Sequence, residues 1–416
     1  MTSDTPAAAA PDLPVIRWSE EGIEHSARWR SERGAPPPRS VVVADDTMSA
    51  DEAYGLACQG VALLWRGDFQ NARQMLTALA NRTDRKPRLA AKGGKGAKGG
   101  KDGKGGRGAQ VADAAAAAPA KSPVEVFNLQ RQARSQRART LGMLLIPLED
   151  GHVIPLRRAP DLKAACTEAW GAADGSAVVA MRELLGVNGA HEWRSNGIEV
   201  PAIGGRIHPH YGVFAPTRAE YVELVARAPL PKAAAALGTA FDVGTGTGVL
   251  AAVLARRGLA RVVATDMDPR ALACARDNVA RLGLAERVEV VQADLFPEGR
   301  AELVVCNPPW VPARPSSPLE HGVYDADGRM LGGFLSGLAA HLAPGGEGWL
   351  ILSDLAEHLG LRTRDALLAA IAAGGLVVVD RIDVKPAHKR AFDATDPLHA
   401  ARSREKTSLW RLAAAG

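Results

Sequence analysis

Cysteine is scarce in this chain: four in 416 residues, at Cys58, Cys166, Cys274 and Cys306, with no CxxC pair among them. So few thiols, so far apart, argue against a disulfide framework and for reduced side chains. Long apolar runs are missing too. The longest, Leu141 to Leu148 and Ala177 to Met181, fall well short of the roughly 18 residues of a membrane span. Met1 to Pro14 are small, acidic and broken by proline, without the basic start and apolar core of a secretory signal. His208 and His210 come nearest to a metal pair, but no carboxylate or cysteine stands beside them at ligand spacing, so no metal is expected. These absences set the cytoplasm as the expected location, with no membrane partner.

A chain of this length exceeds one ordinary core, so about two domains plus linkers are expected. Its apparent basicity is local. Between Arg82 and Arg107 stand ten Lys or Arg against two Asp, and setting that segment's +8 aside turns the net +5 into −3 for the rest. Residues 1–48 read as an extended or disordered arm, stiffest at Pro36-Pro37-Pro38. Residues 49–87 read as a helical hairpin: Leu56, Val61, Leu64 and Trp65 suggest one apolar stripe, and Asp68 looks like an N-cap for a second. Residues 88–123, Lys/Gly-rich and then Ala-rich, cannot hold a packed core and are expected to be a linker, either inert or loosely attracted to nucleic-acid phosphates. Residues 124–203 are expected to form a small α+β recognition region. It carries Arg131, Arg134, Arg137 and Arg139, a β-hairpin pairing Leu141–Leu148 with His152–Leu156, and a helix over Leu162–Leu185.

From residue 204 to 416 the pattern differs. Short apolar strands alternate with helices, which means a mostly parallel α/β sheet. The first strand of the series ends in Asp242, and Gly244, Gly246 and Gly248 follow as GxGxG, with Thr245 between the first two, and all five are candidates to contact a bound cofactor. Glycines there let the backbone turn sharply and approach a ligand closely, while the next helix points its N-terminus at that ligand. The spacing is not the GxGxxG of dinucleotide enzymes, which argues against an oxidoreductase. The second strand closes on Asp266, placed to accept from both ribose hydroxyls, whereas Asp268-Pro269 reads as an N-cap with first-turn proline. After the third strand, Asp294 can accept from an adenine amino group, with Leu295 among the apolar neighbours flanking the ring. The fourth strand runs into Asn307-Pro308-Pro309-Trp310. An amide or aniline-like nitrogen is a poor nucleophile because its lone pair is delocalised. Carbonyl acceptors on its N–H groups, one from the Asn307 side chain and one from the Pro308 backbone, would favour pyramidalisation and aim the lone pair. Pro309 stiffens the turn, and Trp310 offers a stacking face.

Taken together, FDVGTGTG, ATDMDP, QADLF and VVCNPPW make residues Gly204 to Ala413 resemble the class I S-adenosylmethionine-dependent methyltransferases. Within them the chain resembles the branch holding the release-factor glutamine methyltransferases, the small-domain ribosomal RNA guanine methyltransferases and the adenine amino-methyltransferases. The resemblance implies a Rossmann-like seven-stranded sheet with its last strand reversed. It also implies S-adenosylmethionine as cofactor, held by the glycine loop at its methionine moiety and by Asp266 at its ribose. The stretch from His210 to Arg218 looks like the segment that closes over the cofactor in this branch, with Phe214 and Thr217 as its contacts. No second glycine loop and no second Asn-Pro-Pro precede the domain. The expected activity is N-methylation of an exocyclic amine on an RNA base, ribosomal or transfer. A protein glutamine is the alternative, and a non-catalytic binding scaffold the rival of a different class.

Overall fold

The computed structural model describes residues 13–84, 121–234, 238–315, 318–386 and 392–416. The Lys/Gly/Ala linker therefore lies outside the described residues, apart from its last few positions.

The N-terminal unit is a mixed six-stranded sheet. Its strands are β1 (Val15–Glu20), β2 (Ile23–Arg30), β3 (Ser40–Ala44), β4 (Val61–Trp65), β5 (Leu144–Leu148) and β6 (Ala177–Ala180). Around them lie α1 (Ala50–Cys58), α2 (Phe69–Asp84), α3 (Pro123–Leu141), α4 (Lys163–Trp170) and α5 (Met181–Asn196). Spatial order is β1-β2-β6-β5-β4-β3, with β3, β4 and β5 mutually parallel. This corrects the sequence reading in four places. The expected arm contributes β1, β2 and β3. The expected apolar helical stripe ends at Cys58, and Val61–Trp65 is a strand: Leu63 and Trp65 pack on one face while Ala62 and Leu64 pack on the other. A run buried on both faces shows no alternation, so periodicity could not separate strand from helix. The expected hairpin is also absent, because β5 pairs antiparallel with β6 and only the bridge Glu149–Val153 remains of it. The helix placed over Leu162–Leu185 is instead α4, β6 and the start of α5. Asp68 does cap α2, its Oδ1 accepting from the Gln70 amide at 2.8 Å. The start of α3 is set by a capping box, Ser122 Oγ taking the Glu125 amide at 3.3 Å and Glu125 Oε2 taking the Ser122 amide at 2.7 Å, with proline next.

A small antiparallel pair, β7 (Ile198–Val200) and β8 (Gly205–Ile207), leads through α6 (Ala219–Arg227) into the second sheet. That sheet contains β9 (Thr239–Val243), β10 (Arg261–Asp266), β11 (Val288–Gln292), β12 (Ala301–Cys306), β13 (Leu342–Ser353), β14 (Leu376–Val384) and β15 (Thr407–Ala414). The intervening helices are α7 (Val249–Arg256), α8 (Pro269–Arg281), α9 (Arg329–His341), α10 (Leu355–His358), α11 (Arg364–Ala373) and α12 (His399–Arg402). Order is β11-β10-β9-β12-β13-β15-β14, with β15 antiparallel to both of its neighbours. The expected seven-stranded sheet with its last strand reversed is present. Residues of β9, β10, β12 and β13 alternate between two cores, Ala240, Val262, Val305 and Trp349 on one face, Phe241, Val263, Val304 and Leu350 on the other.

Chain direction around β9 positions the site. From β9 the chain moves outward to β10 and β11, then returns to the other side as β12. That reversal opens a crevice at the strands' carboxyl ends, where α/β sheets bind ligands. Cys306 pairs with Val243 and Thr265 also pairs with Val243, so the glycine loop, Asp266 and Asn307 leave the sheet side by side.

Candidate active site

The glycine loop is held from below. Gly244 and Thr245 both donate their amides to the Thr265 carbonyl, at 2.9 and 2.8 Å. Gly248 has φ of +81°, and a Cβ there would sit 3.2 Å from the Ala275 backbone, so a larger residue would be strained and would crowd α8. Asp242, expected to face the cofactor, is instead 1% exposed and works inside the loop. Its Oδ2 accepts from Thr245 Oγ1 at 2.6 Å and from the Ala251 amide at 2.9 Å, capping α7 from the adjacent strand. Gly248, the residue at the formal cap position, has no side chain to do this. Thr245 is correspondingly buried and committed to Asp242.

Burial pushes the Asp242 carboxyl up from 3.8 to about 6, against the hydrogen bonds from Thr245 and Ala251 that lower it. A carboxyl whose folded pKa is raised contributes stability below its unfolded value, and that contribution is lost as pH rises through the folded value. A displacement of this size corresponds to about 3 kcal/mol. Asp242→Asn keeps an acceptor for both donors and never ionises. Its stability relative to the wild-type chain should therefore rise by about 3 kcal/mol between about pH 4 and pH 7. Urea unfolding of both proteins across that range measures this, and a constant difference would show that Asp242 is not strained by its charge.

Asp266 occupies the expected place. Its Oδ2 accepts from the Gly246 amide and its Oδ1 from the Asp268 amide, both at 3.0 Å, and burial raises its pKa. Each oxygen keeps a further lone pair for a ligand hydroxyl. Asp268 caps α8 through the Arg270 amide at 2.8 Å, which leaves Asp266 as the acid facing the crevice. Asp294 is engaged elsewhere: Arg329, at the start of α9, pairs with it at 2.8 Å. Both side chains are more than half exposed, so the pair is weak and yields readily to a ligand. Leu295 has φ of +75° and its carbonyl accepts from Thr265 Oγ1, an arrangement that turns the chain beneath the crevice. The next residue of α9, Met330, lies over Gly244, its methyl 2.3 Å from where a Cβ would be. Arg329 and Met330 escaped sequence reading because no motif marks them; α9 carries them back over the crevice.

At the end of β12 the side chain of Asn307 is already oriented. Trp310 Nε1 donates to its Oδ1 at 2.8 Å, which leaves the second lone pair of that oxygen for another donor. The face of Trp310 is covered as well, by the Arg218 guanidinium 4.6 Å from the ring centre. Arg218 in turn pairs with Glu405 at 3.0 Å and with Glu220 at 2.9 Å. Trp310 thus orients Asn307 rather than presenting a free stacking face. A cavity of about 140 Å³ lies against Asn307, Pro308 and Trp310, and its walls include Phe214, Tyr221, Tyr324 and Phe127. Pro309 follows as the stiffening residue outside that lining. Phe214 also borders a larger cleft of about 520 Å³ between the two units, where Thr217 lies. His208 and His210 are committed to the protein, to the Arg194 carbonyl at 2.6 Å and to Asp277 at 3.1 Å. Among the described residues no group of three or more His, Cys, Asp or Glu is placed to hold a metal ion, and no helix is long and apolar enough to cross a membrane.

The sequence profile of the methyltransferase small domain matches residues 204–362. The chain is 42% identical over 147 residues to the ribosomal protein L11 methyltransferase of Pelotomaculum thermopropionicum, covering 35% of this chain and 40% of that protein. To the release factor glutamine methyltransferase of Cereibacter sphaeroides it is 35% identical over 179 residues, covering 39% of this chain and 59% of that protein. To the protein of the same name from Moorella thermoacetica it is 39% identical over 118 residues, covering 27% of this chain and 42% of that one. The matched stretch thus spans about half the length of these relatives. Residues 204–362, which match the methyltransferase small domain, fall on the seven-stranded sheet whose order is β11-β10-β9-β12-β13-β15-β14.

Proposed function

We propose that this chain is an S-adenosylmethionine-dependent N-methyltransferase whose acceptor is a planar amide nitrogen on a protein side chain, of the glutamine type. The residues present suit the cofactor: an open glycine loop with α7 behind it, and a carboxylate at Asp266 with lone pairs to spare. When bound, the cofactor supplies an electrophilic methyl on a sulfonium. Every other part of the chemistry falls to the chain. The Asn307 side-chain oxygen and the Pro308 carbonyl accept from the two N–H groups of the acceptor, turning its lone pair toward the crevice. No charged base is needed, because the acceptor nitrogen becomes strongly acidic once it carries the methyl and its surplus proton then leaves to solvent.

One observation carries the choice of amide over nucleobase: one face of the Trp310 ring is already taken by Arg218 and its N–H is spent on Asn307. Stacking on an open aromatic face is the usual grip on an unpaired base, and the remaining cavity of about 140 Å³ suits a slender amide side chain. The relatives named for ribosomal protein L11 and for release factor glutamine point the same way. The RNA base is kept as second reading by the Lys/Gly segment and by α3, where Arg134 is exposed. Two other arginines of α3 are taken: Arg137 by Asp84 at 2.9 Å, and Arg131 by the Arg314 carbonyl.

The test uses tritiated S-adenosylmethionine with extract from cells lacking this protein, split into protein and RNA. Label is expected in a discrete protein band that survives nuclease. Label that nuclease removes would replace the protein acceptor by a base, and label in neither fraction would sink the methyltransferase reading.

A further inference from the structure

We propose that α3 of the N-terminal unit forms the outer wall of the acceptor pocket, and that Phe127 on it determines which side chains reach Asn307. This rests on the reading that Asn307 holds the acceptor nitrogen.

The helix is a strut between the two units. At its C-terminal end Leu141 is buried in the core of the first sheet with Leu63 and Ile146. About 20 Å away, at 1.5 Å per residue, Phe127 is 5% exposed yet touches none of that core. It is buried in the other unit, with Val311, Leu355, Leu359, Leu398 and Ala401, and Trp310 packs against the same cluster. Phe127 lines the very cavity that Asn307, Pro308 and Trp310 line. The other side chains of α3 before Thr140 are half-buried or exposed, so this end of the helix has no core of its own to occupy.

Three further contacts hold it there. Gln130 Nε2 donates to Asp396 Oδ1 at 3.2 Å. The Arg131 guanidinium lies 4.4 Å from the centre of the Tyr324 ring, another wall of the cavity, and donates to the Arg314 carbonyl. Gly360 has φ of +71°, and a Cβ there would come 3.1 Å from Val124 Cγ2, so the Val124 side chain of α3 packs closely on the turn after α10.

A rigid apolar wall opposite two fixed carbonyl acceptors has a chemical consequence. It excludes water from the acceptor nitrogen and leaves room for an unbranched chain ending in a neutral amide. Bulkier ends compete with the Phe127 ring for this space, while Arg218 and Arg402 in the same lining disfavour a cationic end. Selectivity of this type comes from pocket shape, where loss of a few apolar carbons changes discrimination by about tenfold or more.

Phe127→Ala should raise, by about tenfold, the concentration of the labelled fraction needed for half-maximal transfer. S-adenosylmethionine affinity should stay within about twofold, since Phe127 is not among the residues of the cofactor crevice. It should also label bands that the unaltered protein ignores. Phe127→Leu, which keeps most of the apolar volume, should restore the original pattern, and Phe127→Val, shorter but still apolar, takes the place of alanine if that variant fails to fold. An alanine variant with unchanged half-maximal concentration and unchanged bands overturns the proposal.

A second measurement needs no substrate. Val323, on the cavity wall, is replaced by cysteine in a chain whose exposed Cys58 is serine, and maleimide alkylation is timed. Phe127→Ala should speed it severalfold, and an equal rate also overturns the wall. Absence of any methyl label from the unaltered protein removes the proposed function instead, leaving the alkylation rates to decide the wall.

Discussion

Asn307→Ala is expected to lower methyl transfer by about 10²- to 10³-fold, the usual cost of removing one fixed polar group that acts on developing charge. S-adenosylmethionine affinity should change by less than about twofold, because Asn307 lies at the end of β12 and the glycine loop is held by Thr265, Asp242 and Asp266. The contrast between the two numbers is the informative part. A loss in turnover with cofactor binding intact places the residue on the acceptor side. Asn307→Asp sharpens the test. It keeps an acceptor for Trp310 Nε1 and preserves the shape, but brings a charge into a pocket lined by Phe127, Phe214 and Tyr324. If the acceptor is a neutral amide, the aspartate variant should recover part of the activity at low pH, where it is protonated, and lose it as pH rises. Normal turnover by Asn307→Ala, measured by tritium transfer, would remove the residue from the mechanism.

Asp266→Ala should weaken S-adenosylmethionine binding by about 10²-fold or more, since hydrogen bonds to a charged acceptor contribute about 1.5–3 kcal/mol each. Calorimetry measures it directly. The loss has two physical parts: the ribose acceptors disappear, and so does the tie from Asp266 Oδ2 to the Gly246 amide at 3.0 Å. Asp266→Asn separates them, because the amide oxygen can still accept from Gly246 but no longer offers two charged oxygens to vicinal hydroxyls. Its affinity is expected to fall between the other two. An unchanged affinity in the alanine variant would sink the ribose assignment. Asp268→Ala is the natural control: it removes the α8 cap, so it should cost about 1 kcal/mol of stability with little effect on binding.

Most of the second sheet was legible because parallel strands buried on both faces are written as short apolar runs, and each ends at a residue of distinctive chemistry. Val288–Gln292 and Ala301–Cys306 are such runs, the second ending just before Asn307, and the Asp268 cap follows from the Asp-Pro signature of a helix start. The N-terminal unit was not legible in the same way. Val61–Trp65 is a five-residue apolar run, too short for periodicity to identify as strand. Strands β1 and β2 mix apolar, polar and charged residues at their exposed positions, Val15, Arg17, Ser19, Ile23, Glu24 and Ser26, and β2 gains its second neighbour only from β6, which arrives after four helices. Asp242 was misplaced for a related reason. Its position beside the glycines marks it as part of the loop, but whether it faces the ligand or the helix depends on where α7 begins.

By itself the sequence determined the chemistry on offer: a glycine turn, an acid at the end of the second strand, and an Asn-Pro-Pro-Trp at the end of the fourth. Those are local features, set by backbone freedom, capping and strand length, and they survive in a linear reading. The tertiary structure decided which of them are free to act. It closed the Trp310 face with Arg218, paired Asp294 with Arg329, and brought Phe127 to the pocket on a helix whose Arg131 meets Arg314 across 183 residues. Contacts between distant segments depend on how two sheets and a connecting helix pack in three dimensions, and no spacing along the chain encodes that.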